Sequence, residues 1–204
     1  KPGDIKYLDV SGPDGVPDGI INAEYDRVLL GGSLPRFQFG GNIRLDFKGL
    51  ELSVVIQGVG KQNSLLNEWM VRPLIGNVSP APAIIDGNYW SHYNTPEQNE
   101  KAIYPRLSQN NASFNYAVSD YWLFNGGYLR LKNLTLGYNL PGKLTSRIGM
   151  NGIRIYVSMS DILSISKYPS GWDPEECPSG WDPEGAGTGY PITSSYIFGL
   201  SVKF

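Results

Sequence analysis

The residues that most restrict what this chain can fold into run from Arg36 to Gln57. In RFQFGGNIRLDFK, Phe37, Phe39, Ile43, Leu45 and Phe47 fall on one side of an extended chain, and Arg36, Gln38, Asn42, Arg44, Asp46 and Lys48 on the other. A period of two belongs to a β-strand, where successive side chains point to opposite faces. Lys48-Gly49 joins this run to LELSVVIQG, in which Leu50, Leu52, Val54 and Ile56 alternate with Glu51, Ser53, Val55 and Gln57. A two-residue turn, with Gly49 at positive φ, sets Phe47 opposite Leu50 and gives both apolar rows one face.

Three further segments obey the same rule. In YLRLKNLTLGYNL (128–140) Leu134, Leu136, Tyr138 and Leu140 share a face, with Arg130 and Lys132 earlier on the same side. Ile153, Ile155, Val157 and Met159 oppose Arg154, Tyr156, Ser158 and Ser160, and the last run aligns Tyr196, Phe198, Leu200, Val202 and Phe204. Connections alternate between short and long, the rhythm of an outer-membrane β-barrel with tight periplasmic turns and extended extracellular loops. The apolar rows end in aromatic residues (Phe37, Phe47, Tyr138, Tyr196, Phe204), as interfacial girdles require, and Arg130 and Lys132 are expected above the apolar band, near headgroups.

The expected fold class is therefore all-β: about five antiparallel strands of a large transmembrane barrel. The expected organisation is an extracellular loop at 1–35, a transmembrane hairpin at 36–60 and a long extracellular loop at 61–126. A second hairpin at 127–165 turns in the periplasm at 141–152, an extracellular loop fills 166–190, and 191–204 is a terminal strand. Five strands do not close, and an open edge in hydrocarbon leaves unpaired backbone groups, so the sheet must be completed by strands from elsewhere. The start at Lys1 reads as that of a fragment. The competing architecture is a secreted, calcium-stabilised, carbohydrate-binding β-sandwich. The two differ in what touches Phe39, Ile43, Val54, Ile155 and Leu200: lipid in a barrel, a second protein layer in a sandwich.

Composition removes other classes. A formal net charge of −2 with no basic cluster argues against nucleic acid. No apolar run approaches the ~18 residues of a spanning helix. The single Cys177 has no internal partner, and with one histidine in the chain it reads as a surface thiol rather than a nucleophile.

YWLFNGGYLRLKNLTLGYNLP (121–141), GIRIYVS (152–158) and KYPSGWDPE (167–175) resemble the C-terminal part of SusC/RagA-type TonB-dependent transporters of the Bacteroidetes outer membrane. Upstream, GDIKYLDVSG, DGIINAEYDR, LPRFQFGGNIRLDFKGLELSVVIQGVG and YPRL follow in the same order, so the resemblance spans essentially the whole chain. It implies a barrel of roughly 22 strands with an N-terminal plug, a SusD-like surface lipoprotein as lid, the TonB complex as energy source, and nutrient import, of oligosaccharide or oligopeptide, as the activity. Two departures stand out. Asp161-Ile162-Leu163 replaces the family's usual Asn-Leu-Phe, and PSGWDPE is duplicated, at 169–175 and again at 178–184. An extracellular loop tolerates such a duplication, because doubling its length costs only ~0.6 kcal/mol of closure entropy.

The candidate sites follow. DVSGPDGVPDGIINAEYD (9–26) resembles a calcium loop, which needs oxygen ligands at alternate positions and a glycine at the sharp turn. One register uses Asp14, Asp18, the Ile20 carbonyl and Asn22, with Val16 and Tyr25 at ligand positions and Asp26 one residue late; another starts at Asp9. Trp172 and Trp181 are candidate sugar-stacking platforms, against a plain reading as packed turn residues. Gly199, Val202 and Phe204 match an assembly signal in the terminal strand. His92 reads as a loop residue. No enzymatic activity is expected; a hydrolase would have to draw on Asp173 and Glu175.

Overall fold

The computed structural model describes residues 1–65, 72–73, 83–108, 112–176, 190 and 192–204. They divide between two compact units. One comprises Lys1–Gly31, Leu65–Leu123 and Pro183–Thr188; the other comprises Gly32–Ser64, Phe124–Asp182 and Gly189–Phe204.

The second unit carries the sheet. Strands β1 (Gln38–Phe47) and β2 (Leu50–Val59) form the hairpin expected from alternation, with Phe47 opposite Leu50. Lys48 and Gly49 both take positive φ, 48° and 90°, which matches the right-handed twist of the flanking strands. Two short strands, β3 (Asn63–Leu65) and β4 (Leu123–Asn125), pair with each other. Strands β5 (Tyr128–Asn139), β6 (Gly152–Ser166) and β7 (Ser195–Lys203) complete an antiparallel sheet of order β1-β2-β5-β6-β7. Between β5 and β6 the chain turns through a short helix at Gly142–Thr145.

Register turns the separate stripes into rows across five strands. Ile43, Val54, Leu134, Met159 and Tyr196 make one row; Leu45, Leu52, Leu136, Val157 and Phe198 the next; Phe47, Leu50, Tyr138, Ile155 and Leu200 a third. Among the described residues no second layer covers this face: Phe39, Ile43, Ile155 and Leu200 are 51%, 51%, 53% and 66% exposed, and Val54 is half-buried. The β-sandwich is thereby excluded, since its inner face is a core. Gly58, opposite Phe39, admits that ring; a Cβ there would lie 2.2 Å from it.

One expectation is overturned. Arg130 and Lys132 do not rise beside lipid, because the β5 register slips around Lys132: Val55 pairs with Asn133 and Ile56 with Leu131. β6 answers with Asp161 and Ile162 between Ser160 and Leu163. Such a bulge resets which side chains face which way. Leu129 and Leu131 therefore extend the apolar face alongside Leu163 and Ile165, while Arg130, paired with Gln57 and Ser164, joins the polar one. Asp161 sits at φ 53°, a left-handed conformation that Asp and Asn tolerate better than most residues.

The first unit has its own core, built on Trp122. Its ring is stacked with Tyr116 (centroids 4.9 Å apart) and meets Tyr121 edge-on, and its indole N–H donates to the Asn115 carbonyl at 2.8 Å. The Asn115 side chain, fully buried, accepts from the Ile5 N–H and donates to Asp4. Asp4 also pairs with Arg106 at 2.6 Å. Burial pushes the Asp4 carboxyl up, but the Arg106 and Asn115 hydrogen bonds outweigh it and hold the group well below the usual carboxylate range. Burial raises the Tyr104 and Tyr116 hydroxyls.

Candidate functional site

The face opposite the apolar rows is mostly polar, with Val55, Val59 and Ile197 its apolar members, and its polar side chains bond laterally across strands. Thr135 and Ser158 share a 2.9 Å hydrogen bond, and the Asn133 amide donates to Ser158 at 3.2 Å. Nearer the β1–β2 turn, Arg44 pairs with Asp46 at 3.1 Å. Arg154, on β6, reaches over β5 to Glu51 on β2, with its Nε 3.0 Å from Oε2. The strand it crosses presents Gly137, where a Cβ would stand 3.1 Å from the guanidinium. Glu51 also accepts from Asn139 at 2.6 Å.

At the other end of this face lies a charged cluster that the sequence did not reveal. The Arg130 guanidinium, only 3% exposed in its side chain, meets Asp173 at 2.5 Å and Glu175 at 2.7 Å. Lys132 bridges Asp161 at 2.9 Å and Glu175 at 3.1 Å. Two cations and three carboxylates leave a formal charge of −1. Buried charges need opposite partners, and each member here has one, with Arg130 Nε left over as a buried donor without a hydrogen bond among the described residues.

Both loop acids belong to the first copy of PSGWDPE, and its local geometry explains how they arrive. Gly171 takes φ 96°, and the Trp172 N–H donates to the Pro169 carbonyl, closing a turn. The Asp173 carboxylate then accepts from the Glu175 N–H at 2.9 Å, the Asx-type bond that aims both acids the same way. Just upstream the buried hydroxyls of Tyr168 and Ser64 meet at 2.8 Å. Burial raises the Asp173 carboxyl, and the Arg130 contact overrides this and holds it below the ordinary carboxylate value. Sequence reasoning had one usable signal: two cations inside an apolar stripe, and two acids spaced two apart in a nearby loop.

Beside the cluster opens a cleft of about 530 Å3, lined by Gln38, Gln57, Gln62, Tyr128, Pro174 and Glu175 among others. Amides, a phenol and a carboxylate around such a volume suit hydrogen bonding to peptide groups or sugar hydroxyls. Trp172 lines a neighbouring cleft with Arg130, Asp161, Tyr168 and Asp173. Trp181 and Cys177 lie outside the described residues.

The residues of the candidate calcium loop are placed as follows. Asp26 accepts from the N–H groups of Asn22 and Val10, at 2.7 and 2.8 Å, and these bonds hold its carboxyl below the usual range. Asp9 accepts from Gly19 at 2.6 Å, Asp18 from Ile20 at 2.8 Å, and Asn22 from Glu24 and Tyr25. Asp14 is exposed. Among the described residues no three carboxylate, histidine or cysteine side chains converge as a metal shell would require. Asp9 nevertheless keeps Oδ1 buried without a hydrogen-bond partner, so Asp9 with Asp26 fits part of a cation site.

The remaining candidates are simply placed. His92 is exposed and stands edge-on to Trp90, 4.6 Å between centroids. Gly199 has a packing reason for its lack of a side chain: a Cβ would lie 2.1 Å from the Tyr156 ring, directly opposite on β6. Val202 stands opposite Ile153, and Phe204 is exposed. Asp173 and Glu175, the acids a hydrolase would need, are engaged in the ion pairs.

No family model matches the chain. It is 28% identical, over its whole length, to TonB-dependent receptor P3 of Formosa agariphila, of which it covers 19%. TonB-dependent receptor P26 of the same organism is 29% identical over 81% of the chain, matching 16% of that protein. TonB-dependent receptor SusC of Bacteroides thetaiotaomicron is 37% identical over 43% of the chain and 8% of its own length. Among solved structures, the RagAB peptide importer in its open-open state superimposes with a TM-score of 0.63 at 25% identity, covering 94% of this chain and 20% of that one. The RagAB peptide transporter gives 0.66 at 24% identity, with 95% and 20% covered. The chain thus spans about a fifth or less of its relatives.

Proposed function

With this chain standing as the C-terminal barrel portion of a SusC/RagA-type TonB-dependent transporter, we propose that the whole protein imports a nutrient, an oligopeptide or oligosaccharide, across the outer membrane. The observation that carries this reading is the sheet itself: apolar rows on one face, a hydrogen-bonded polar face on the other, and strands open at β1 and β7. Lipid suits the first face, a solute path the second, and further barrel strands the two edges.

In this reading the chain supplies barrel wall and extracellular loops. The plug that closes the lumen, the SusD-like surface lipoprotein and the TonB complex lie on other sequence. Substrate is held between the loops and the lipoprotein lid and released inward when TonB pulls the plug. Uptake of labelled peptides and glycans by cells with and without the full-length transporter, each with and without TonB, tests this. Uptake that persists without either component defeats it.

Two subsidiary roles go with the reading. Asp9 and Asp26 hold a calcium ion that stiffens the extracellular 9–26 loop, with Asn22 and the Ile20 carbonyl as further ligands, while Asp14 and Asp18 do not converge on them. The orphaned Asp9 oxygen supports this. Calcium should slow proteolysis within 9–26 and Asp9→Asn should abolish the protection. Gly199, Val202 and Phe204 in β7 serve barrel assembly. Deleting Phe204 from the full-length protein should lower its outer-membrane abundance.

A further inference from the structure

The connection between β5 and β6 is firmly held, yet it presents apolar side chains to its surroundings. It leaves the sheet at the last apolar row, Leu140, Ile153 and Val202, where the Leu140 N–H donates to the Ile153 carbonyl at 2.9 Å. After Pro141 the helix at Gly142–Thr145 runs directly into a 3-10 turn at Ser146–Ile148. Thr145 is fully buried; its hydroxyl donates to the Gly142 carbonyl, and its own carbonyl accepts from the Met150 N–H at 3.0 Å. Gly149, at φ 73°, ends the segment. On this fixed backbone Leu144 and Ile148 are 53% and 61% exposed.

The open edges of the sheet do not explain that exposure, because both flanks of the connection are present. The Asn139 N–H donates to the Gly49 carbonyl in the β1–β2 turn, and the Asn151 N–H to the Lys203 carbonyl in β7, each at 2.8 Å. Leu144 and Ile148 stand four residues apart on successive helical turns and so lie toward one side. Lys143 and Arg147, spaced in the same way, are exposed beside them. Residues 141–152 include no acid. At the same end of the sheet the Lys48 ammonium lies 5.2 Å from the centroid of the Phe47 ring.

We propose that residues 142–148 seat on the periplasmic leaflet of the membrane, with Leu144 and Ile148 among the acyl chains and Lys143 and Arg147 on the phosphates of anionic phospholipids. The inference rests on the barrel reading above, which puts lipid against the apolar rows and this end of the sheet in the periplasm. Continuity and charge identify the occupant. The apolar rows run up to the connection without a break, so lipid meets its edge, and two cations with no neighbouring acid select phosphate. The connection thus fixes how deep β5 and β6 sit in the bilayer.

A benzophenone side chain reads the neighbour of each position, because on illumination it inserts into the C–H bonds it touches, and mass spectrometry identifies the adduct. In the full-length transporter in isolated outer membranes, probes at Leu144 and Ile148 should give phospholipid adducts, as should one at Leu136 in the apolar rows. A probe at Ser146, between the two apolar residues, should give several times less. All four positions are exposed, so the fold accommodates the larger side chain. In vesicles of equal phosphatidylglycerol and phosphatidylcholine, adducts at Ile148 should favour phosphatidylglycerol by about fivefold or more. Lys143→Gln with Arg147→Gln should lower that ratio severalfold.

Adducts at Leu136 but not at Leu144 and Ile148 overturn the seating and leave the lipid face standing; adducts at none of the three overturn both. The seating is also overturned if Leu144 and Ile148 capture the transporter's own plug, another protein or lipopolysaccharide, or if Ser146 captures phospholipid equally well. A lipid ratio indifferent to the glutamine changes overturns it too.

Discussion

A glycine in a strand normally weakens it, yet two glycines on the polar face are there to make room. Gly199 lies opposite Tyr156, whose ring occupies the space a Cβ would need, and Gly137 lets the Arg154 guanidinium cross to Glu51. Replacing Gly199 by Ala forces the ring aside, an overpacking cost typically of ~1–3 kcal/mol. The full-length protein carrying Gly199→Ala should lose heat-modifiable, folded barrel, and adding Tyr156→Ala should restore it. Restoration separates a packing role from direct recognition of Gly199 during assembly, which the second change would leave impaired.

At the level of the element, β2 offers a clean comparison, because Ser53 and Val54 are neighbours on opposite faces. An arginine on the lipid face at mid-membrane depth costs ~2–4 kcal/mol, whereas inward positions are not bounded by lipid. Val54→Arg should therefore sharply reduce outer-membrane abundance of the full-length protein, and Ser53→Arg should reduce it far less; equal losses would contradict the assignment of faces. The loop at 167–176 answers to a different force. Arg130 holds Asp173 below its ordinary carboxyl value, so the stabilisation is present above that value and disappears as pH falls through the lowered one. The loop should stay protected from proteolysis at neutral and mildly acidic pH and be released only in stronger acid. Arg130→Met should expose it at neutral pH, since Asp173 and Glu175 then lose the guanidinium that holds them.

For the whole molecule the governing fact is that, among the described residues, the sheet ends at β1 and β7 with unpaired edges. Each edge presents backbone donors and acceptors that hydrocarbon does not satisfy, at several kcal/mol apiece. The 204-residue chain expressed alone should require detergent to stay dispersed and should give no heat-modifiable monomer, forming oligomers through its edges instead. The likeness to TonB-dependent receptors over a fifth or less of their length accords with that incompleteness.

The strands were legible in the sequence because alternation is local: a period of two assigns each residue of β1, β2 and β7, and of β6 as far as Ser160, to a face without knowledge of any neighbour. The Lys48-Gly49 hairpin was legible for the same reason, its register being set by turn length alone. The environment of Arg130 was not. Where a bulge falls depends on which residues of two adjacent strands pair, and the slip at Lys132 belongs to β2, β5 and β6 together. The same holds for the ion cluster, which joins Arg130 and Lys132 on β5 to Asp161 on β6 and to a turn some forty residues beyond β5's cations. Sequence determined the chain's two-faced strands, since side-chain alternation is a property of each strand alone. Only tertiary structure decided where the charges stand, since pairing and burial are properties of strands and loops in contact.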